Sequence, residues 1–139
     1  MSVAIAGERR TQTPMSPPGQ TFKLPDFKFR HAICMVGKDI LEMPSSRAAE
    51  RLYAWYRKML NEVGMKGPSE GTKSQPSEPH NLILTREWII LVPRSQTSCY
   101  GVESNALGYS GMLLAKDDES WETVHNVGPL RILKECGKE

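Results

Sequence analysis

The sequence has little with which to span a membrane, staple itself together or hold a metal. No apolar run in its 139 residues approaches the roughly 18 that a membrane-crossing helix needs, so no membrane partner is expected. Its three cysteines, Cys34, Cys99 and Cys136, are far apart, odd in number and form no CxxC pair. Neither a disulfide framework nor a zinc site follows from them, and a reducing, cytoplasmic setting fits. No ligand cluster for a metal is visible, no cofactor is called for, and neither P-loop nor dinucleotide-fingerprint glycine spacing occurs. The opening MSVAIAGERR has a short apolar stretch whose charges follow rather than precede it, the wrong order for a signal peptide. A net charge of +2 is too small to expect a nucleic acid polymer as partner.

What remains is one domain's worth of chain with an uneven pattern. Residues 1–20 are rich in Thr, Ser, Pro and Gly and offer no periodic apolar face, so a disordered tail is expected there. Phe22 to Val36 alternates apolar and polar positions and reads as a strand. MPSSRAAERLYAWYRKMLNEVG then places Leu52, Tyr56, Met59 and Val63 on one helical face, with Ser45 or Ser46 set to cap and Gly64 to stop. Residues 64–80 hold Gly, Pro, Ser and charge, the composition of a mobile loop. Leu82 to Thr85 and Trp88 to Val92 are two apolar runs separated by Arg86-Glu87, a hairpin whose turn residues leave its register open. Met112 to Ala115 reads as a further strand, and residues 117–137 as a helix interrupted at Gly128-Pro129.

Strand, helix, hairpin, strand, helix implies an α+β fold, an antiparallel sheet with helices packed on it, over residues 21–139. The hairpin is apolar enough to need cover on both faces, more than these elements provide. Charge divides along the chain. Residues 1–66 carry 11 Lys/Arg against 6 Asp/Glu, and residues 67–139 carry 7 against 10. Most of the first-half excess reads as solvated surface, with some allowance for an anion site.

One stretch holds two readings. In NALGYSGMLLAK, residues 105–116, Asn105, Gly108 and Gly111 punctuate an apolar run that ends on Lys116. It is either a glycine-punctuated bend with a solvated lysine at its end, or a backbone that approaches a ligand with a cation waiting. Together with FKFRHAI, NLILTREWIILVPRS and GPLRILKECG, in that order and at comparable spacing, it resembles the C-terminal region of the ATP adenylyltransferases, the diadenosine tetraphosphate phosphorylases. These are nucleotidyltransferases of the histidine-triad-like, galactose-1-phosphate uridylyltransferase-related superfamily, and the likeness covers roughly residues 22–137. It implies a histidine-triad-like half domain in which Asn105, Ala106, Leu107, Met112 and Lys116 line a dinucleotide site. The chemistry agrees: an amide donor for phosphate or ribose, small residues that admit a close backbone, a polarizable Met for an adenine face, and a point charge for phosphate. The implied ligand is an adenine dinucleotide polyphosphate or ATP.

The resemblance also implies a covalent adenylyl-histidine, made by an HxHxQ-like motif that precedes the segment matching Leu24 to His31. Here the preceding residues, MSVAIAGERRTQTPMSPPGQTF, contain no histidine. His31 lies in strand-like alternation, while His80 and His125 have no second histidine two residues away; none reads as the nucleophile, and no catalytic residue is assigned. Cys99 has no base paired with it and reads as an ordinary loop cysteine. Two functions stay open: the C-terminal part of a phosphorylase acting on dinucleoside polyphosphates, or a non-catalytic nucleotide-binding or interaction protein. In either case an edge and an apolar face left uncovered predict self-association, or pairing with a missing N-terminal half.

Overall fold

The computed structural model describes residues 17–65 and 78–139. The expected tail falls largely outside the described residues, as does most of the expected loop over 64–80. Six strands, four α-helices and a short 3-10 helix (Lys38–Leu41) appear among the described residues, with a four-stranded sheet at the centre. Its strands are β1 (Thr21–Phe22), β2 (Ala32–Met35), β3 (His80–Leu84) and β4 (Trp88–Pro93), ordered β1-β2-β4-β3 and antiparallel throughout.

The single strand expected over Phe22 to Val36 is instead two strands that fold back on each other, Thr21 opposite Cys34 and Phe22 opposite Ile33. Pro25 has no N–H to give a ladder. The buried imidazole of His31 takes the Leu24 N–H at 2.8 Å, so the chain between the strands closes on a side chain rather than on a strand.

Helix α1 (Ser45–Glu62) forms where the apolar spacing placed it. Met59 and Val63 are fully buried, with Leu52 and Tyr56 packed beside them. Its end follows the expected geometry. Gly64 takes φ +73°, its N–H reaches Asn61 O at 3.0 Å, and the Met65 N–H reaches Leu60 O at 2.8 Å. That pair of bonds closes the last turn in the Schellman manner. Its start does not: Pro44 occupies the capping position, and no side chain caps it, because Ser45 and Ser46 are already inside the first turn.

The hairpin β3–β4 has Leu84 opposite Ile89 and Asn81 opposite Val92. Thr85 supplies what Arg86-Glu87 lack. Its hydroxyl oxygen accepts the N–H groups of Glu87 and Trp88 at 3.2 and 3.0 Å, a side-chain mimic of a turn. Strand β4 is the centre of the fold and is covered on both faces. Ile89 and Leu91 meet α1, whereas Ile90 and Val92 meet Tyr109 and Leu133 from the C-terminal segment. The cover that the sequence left unaccounted for comes from α2 (Ala106–Tyr109) and α4 (Pro129–Cys136); α3 (Asp118–Val127), joined to α4 through Gly128 at φ +90°, packs on α4 rather than on the sheet. No helix among the described residues is long and apolar enough to cross a membrane.

Candidate functional site

The site begins with a tight turn. β5 (Ser98–Cys99) and β6 (Val102–Glu103) pair across Tyr100 and Gly101, which stand at φ 55° and φ 73°. Two successive left-handed residues make the primed type of hairpin turn that matches the twist of its strands. Gly101 adopts that conformation freely, while Tyr100 is held in it by a 2.7 Å hydrogen bond from its hydroxyl to Glu135 on α4. That bond, with the one from Arg131, keeps the Glu135 carboxyl below its ordinary pKa.

Asn105 follows directly, in extended conformation, and caps α2. Its Oδ1 accepts the Gly108 N–H at 3.2 Å, which leaves the side-chain amide nitrogen without a partner among the described residues. α2 is pinned from below. Tyr109 is buried against the Phe29 ring at 5.3 Å and donates its hydroxyl to Leu133 O at 2.9 Å. Burial is the main reason its hydroxyl is pushed well above the ordinary tyrosine pKa. A Cβ on Gly108 would stand 3.0 Å from Leu113 and 3.3 Å from Leu133, so glycine is what lets this turn lie down on the sheet and α4.

The chain then runs out as residues 112–115, which form no strand, contrary to the expectation for Met112 to Ala115. Only Leu113 turns inward, joining two apolar clusters, while Met112 and Leu114 stay in solvent. Lys116 ends the run, ion-paired with Glu103 at 3.1 Å. Both partners are mostly exposed, so this pair contributes little, roughly 0.2–1 kcal/mol, and is easily exchanged for a better anion. Asp117 caps α3 through Ser120, whose hydroxyl and N–H hold its carboxyl below the ordinary pKa.

All five residues singled out from the sequence therefore lie on one segment facing solvent. Asn105 and Ala106 stand at the head of α2, Leu107 is 48% exposed on it, and Met112 is 57% exposed, its N–H bonded to Leu107 O at 2.9 Å. Beneath them are polar groups that sequence reasoning passed over. Ser104 is fully buried with no partner for its hydroxyl among the described residues. Asn81, on the sheet face shared with Ile83 and Val92, has an unpaired amide nitrogen. α2 packs against β3, the strand that carries Asn81. No periodicity marks either residue; only the polarity of Asn81 within an apolar strand stood in the sequence as a signal.

Two of the three histidines are occupied elsewhere, and the third, His125, is exposed on α3. His31 is buried, with Nδ1 on Phe29 O at 2.8 Å and Nε2 accepting from Leu24. His80 lies between the Tyr56 hydroxyl at 2.8 Å and Glu78 O at 3.0 Å. Cys99 is buried beside Cys136, and burial foremost pushes its thiol up to about 12, the opposite of what a nucleophile needs. Among the described residues, no three His, Cys, Asp or Glu side chains come together as a metal site.

Residues 25–139 match the family model described as the ATP adenylyltransferase C-terminal domain. The chain belongs to that family. Among relatives of this ATP adenylyltransferase C-terminal domain is Protein APA1 of Saccharomyces cerevisiae, 32% identical over 106 residues, which covers 73% of the chain and 30% of the relative. Diadenosine tetraphosphate phosphorylase 2 of the same yeast is 32% identical over 107 residues, with the same coverage. The chain thus spans about a third of the length of these relatives. Its fold is that of the corresponding part of the yeast Ap4A phosphorylase Apa2. The TM-score is 0.55 at 23% identity, over 78% of this chain and 36% of Apa2. For Apa2 solved in complex with AMP the TM-score is 0.58, also at 23% identity, over 83% of this chain and 39% of that one. Apa2 has also been solved in complex with Ap4A.

Proposed function

We propose that this domain binds an adenine dinucleotide polyphosphate or ATP through Asn105, Ala106, Leu107, Met112 and Lys116, and that the chain alone is a binding unit rather than a catalyst. The observation that carries the reading is the amide nitrogen of Asn105, without a partner among the described residues at its cap and followed on the same solvent-facing segment by Met112 and Lys116. Asn105 donates to phosphate or ribose, Leu107 and Met112 offer apolar area to adenine, and Lys116 exchanges Glu103 for a phosphate oxygen. A relative named as a diadenosine tetraphosphate phosphorylase, and a neighbour solved with Ap4A and with AMP, support that ligand class.

Against catalysis by the chain alone stand the environments of its histidines. Phosphorolysis of diadenosine tetraphosphate to ADP and ATP through an adenylyl-histidine needs an imidazole free to attack within an HxHxQ-like motif; His31 and His80 each have both ring nitrogens hydrogen-bonded within the fold, and His125, exposed on α3, has no second histidine two residues away. The test is a phosphorolysis assay with luciferase detection of ATP, beside calorimetry with diadenosine tetraphosphate. Binding without turnover is expected. Turnover that vanishes on replacing any one histidine overturns the non-catalytic part; absence of binding overturns the rest.

Self-association, or pairing with the remainder of a longer family protein, belongs to the same proposal. β3 ends the sheet, and its Leu82 and Leu84 are exposed on the face that α1 covers only over its neighbours, an edge that recruits further strands. A cytoplasmic setting fits the three free cysteines.

A further inference from the structure

Cys99 closes β5, just before the Tyr100-Gly101 turn, and Cys136 closes α4. The fold brings these two residues from distant parts of the chain into one apolar cluster with Val102 and Ile132, and both are buried. Their backbones are fixed from either side. The Ser95 N–H reaches Cys136 O at 2.8 Å, the Gln96 side chain reaches Glu135 O at 3.3 Å, and the Tyr100 hydroxyl reaches the Glu135 carboxylate at 2.7 Å. β5 packs against α4, and the two thiols, both reduced, stand side by side. Cys99 Sγ accepts the Gln96 amide N–H at 2.8 Å, which leaves its own S–H free to turn towards Cys136. Cys34 lies in a different cluster, beneath α1, where it is the only cysteine.

We propose that Cys99 and Cys136 are a redox-active dithiol, which hydrogen peroxide converts to a disulfide joining β5 to α4. One sulfur attacks a peroxide oxygen, giving a sulfenic acid and a first water; the other sulfur then attacks that sulfenic sulfur and releases a second water. Both thiol protons leave in the two waters, and the two electrons lost by the sulfurs reduce the peroxide. Burial, foremost, pushes the Cys99 thiol up and keeps it protonated at neutral pH, so the reaction is slow; the Gln96 N–H on Sγ favours the thiolate and offsets part of that. Cys99 keeps a little exposure, a path for a molecule the size of peroxide but not for a bulky disulfide. A reducing thiol of the glutathione class returns the pair to its resting state. The bond ties to α4 the hairpin that leads directly into Ser104 and Asn105, and it removes freedom from the unfolded chain between the two positions. It therefore acts as a lock on this half of the fold, independently of what the segment at Asn105 binds.

The experiment incubates the folded full chain with millimolar hydrogen peroxide, alkylates it in denaturant and maps its peptides by mass spectrometry, so that no variant is needed. A linked Cys99–Cys136 peptide pair, lighter by two hydrogens, is expected beside an alkylated Cys34. Dithiothreitol should restore three alkylatable cysteines. The oxidised chain should melt about 10 °C above the reduced one, the shift expected when a bond closes a loop of a few tens of residues. Three free thiols after prolonged peroxide, a link that involves Cys34, bonds only between chains, or Cys99 carried on to sulfinic acid with Cys136 still free each overturn the dithiol. A linked chain that melts at or below the reduced one overturns the lock.

Discussion

Asn105 has two separable jobs, and two substitutions tell them apart. Its Oδ1 caps α2 by accepting the Gly108 N–H, while its amide nitrogen is free for a ligand. Asn105→Ala removes both; Asn105→Asp keeps the accepting oxygen, deletes the donor and adds a charge. Loss of an N-cap costs about 0.5–2 kcal/mol. α2 is a single turn that Tyr109 and the packing of Gly108 also hold down, so the lower part of that range, about 0.5–1 kcal/mol, is expected for Ala. Aspartate caps as well as asparagine, so the Asp variant should melt within a degree or two of the parent. Binding separates differently. A donor lost to a phosphate oxygen costs about 1.5–3 kcal/mol, roughly 10- to 150-fold in Kd. The Asp carboxylate adds repulsion of about 1 kcal/mol against a phosphate charge ~4 Å away in a water-like dielectric. The less stable Ala variant should therefore bind better than the more stable Asp variant. Thermal unfolding by circular dichroism gives the first ordering and calorimetry with diadenosine tetraphosphate at fixed salt the second. An Asp variant that binds as tightly as the parent would falsify the ligand role and leave Asn105 a cap and nothing more.

Lys116→Ala should weaken dinucleotide binding by about 1.5–3 kcal/mol and flatten its salt dependence, with Lys138→Ala, which removes the partner of Glu78, as the control that leaves the affinity alone. Tyr109→Phe should cost about 0.5–1 kcal/mol at neutral pH, the low side because Leu133 O still accepts the Gly137 N–H at 2.9 Å. Since burial raises the Tyr109 hydroxyl above its unfolded value of 10.0, its stabilisation is whole below that pH and is lost as pH climbs beyond it. Urea melts at pH 8 and pH 11 should therefore show a steeper alkaline loss for the parent than for Tyr109→Phe, and parallel losses would exclude Tyr109 as the responsible group. Leu84→Lys on the exposed edge of β3 should shift light scattering towards monomer at micromolar concentration without lowering the melting temperature, and a parent that is already monomeric removes the premise.

Helix α1 was legible in the sequence from its apolar face and its C-terminal end, because a 3.6-residue apolar period and a terminal glycine are local signals that tertiary contacts reinforce rather than create. The hairpin was legible for the same reason, from two apolar runs at short separation. Family membership lay in strings of identical residues, as did the five candidate positions, which the fold then gathers on one exposed segment. Tertiary structure alone decided the rest. Met112 to Ala115 is an apolar run but pairs with no strand; Leu113 is taken up by two apolar clusters instead, while Met112 and Leu114 stay in solvent. The short helix at Ala106–Tyr109 is fixed in place by a Tyr hydroxyl reaching Leu133 and a glycine thin enough to let it pack closely. The second face of β4 is covered by Tyr109 and Leu133, which lie well beyond it in sequence. Burial of that kind is a property of distances between remote parts of a chain, and a local pattern carries no record of it.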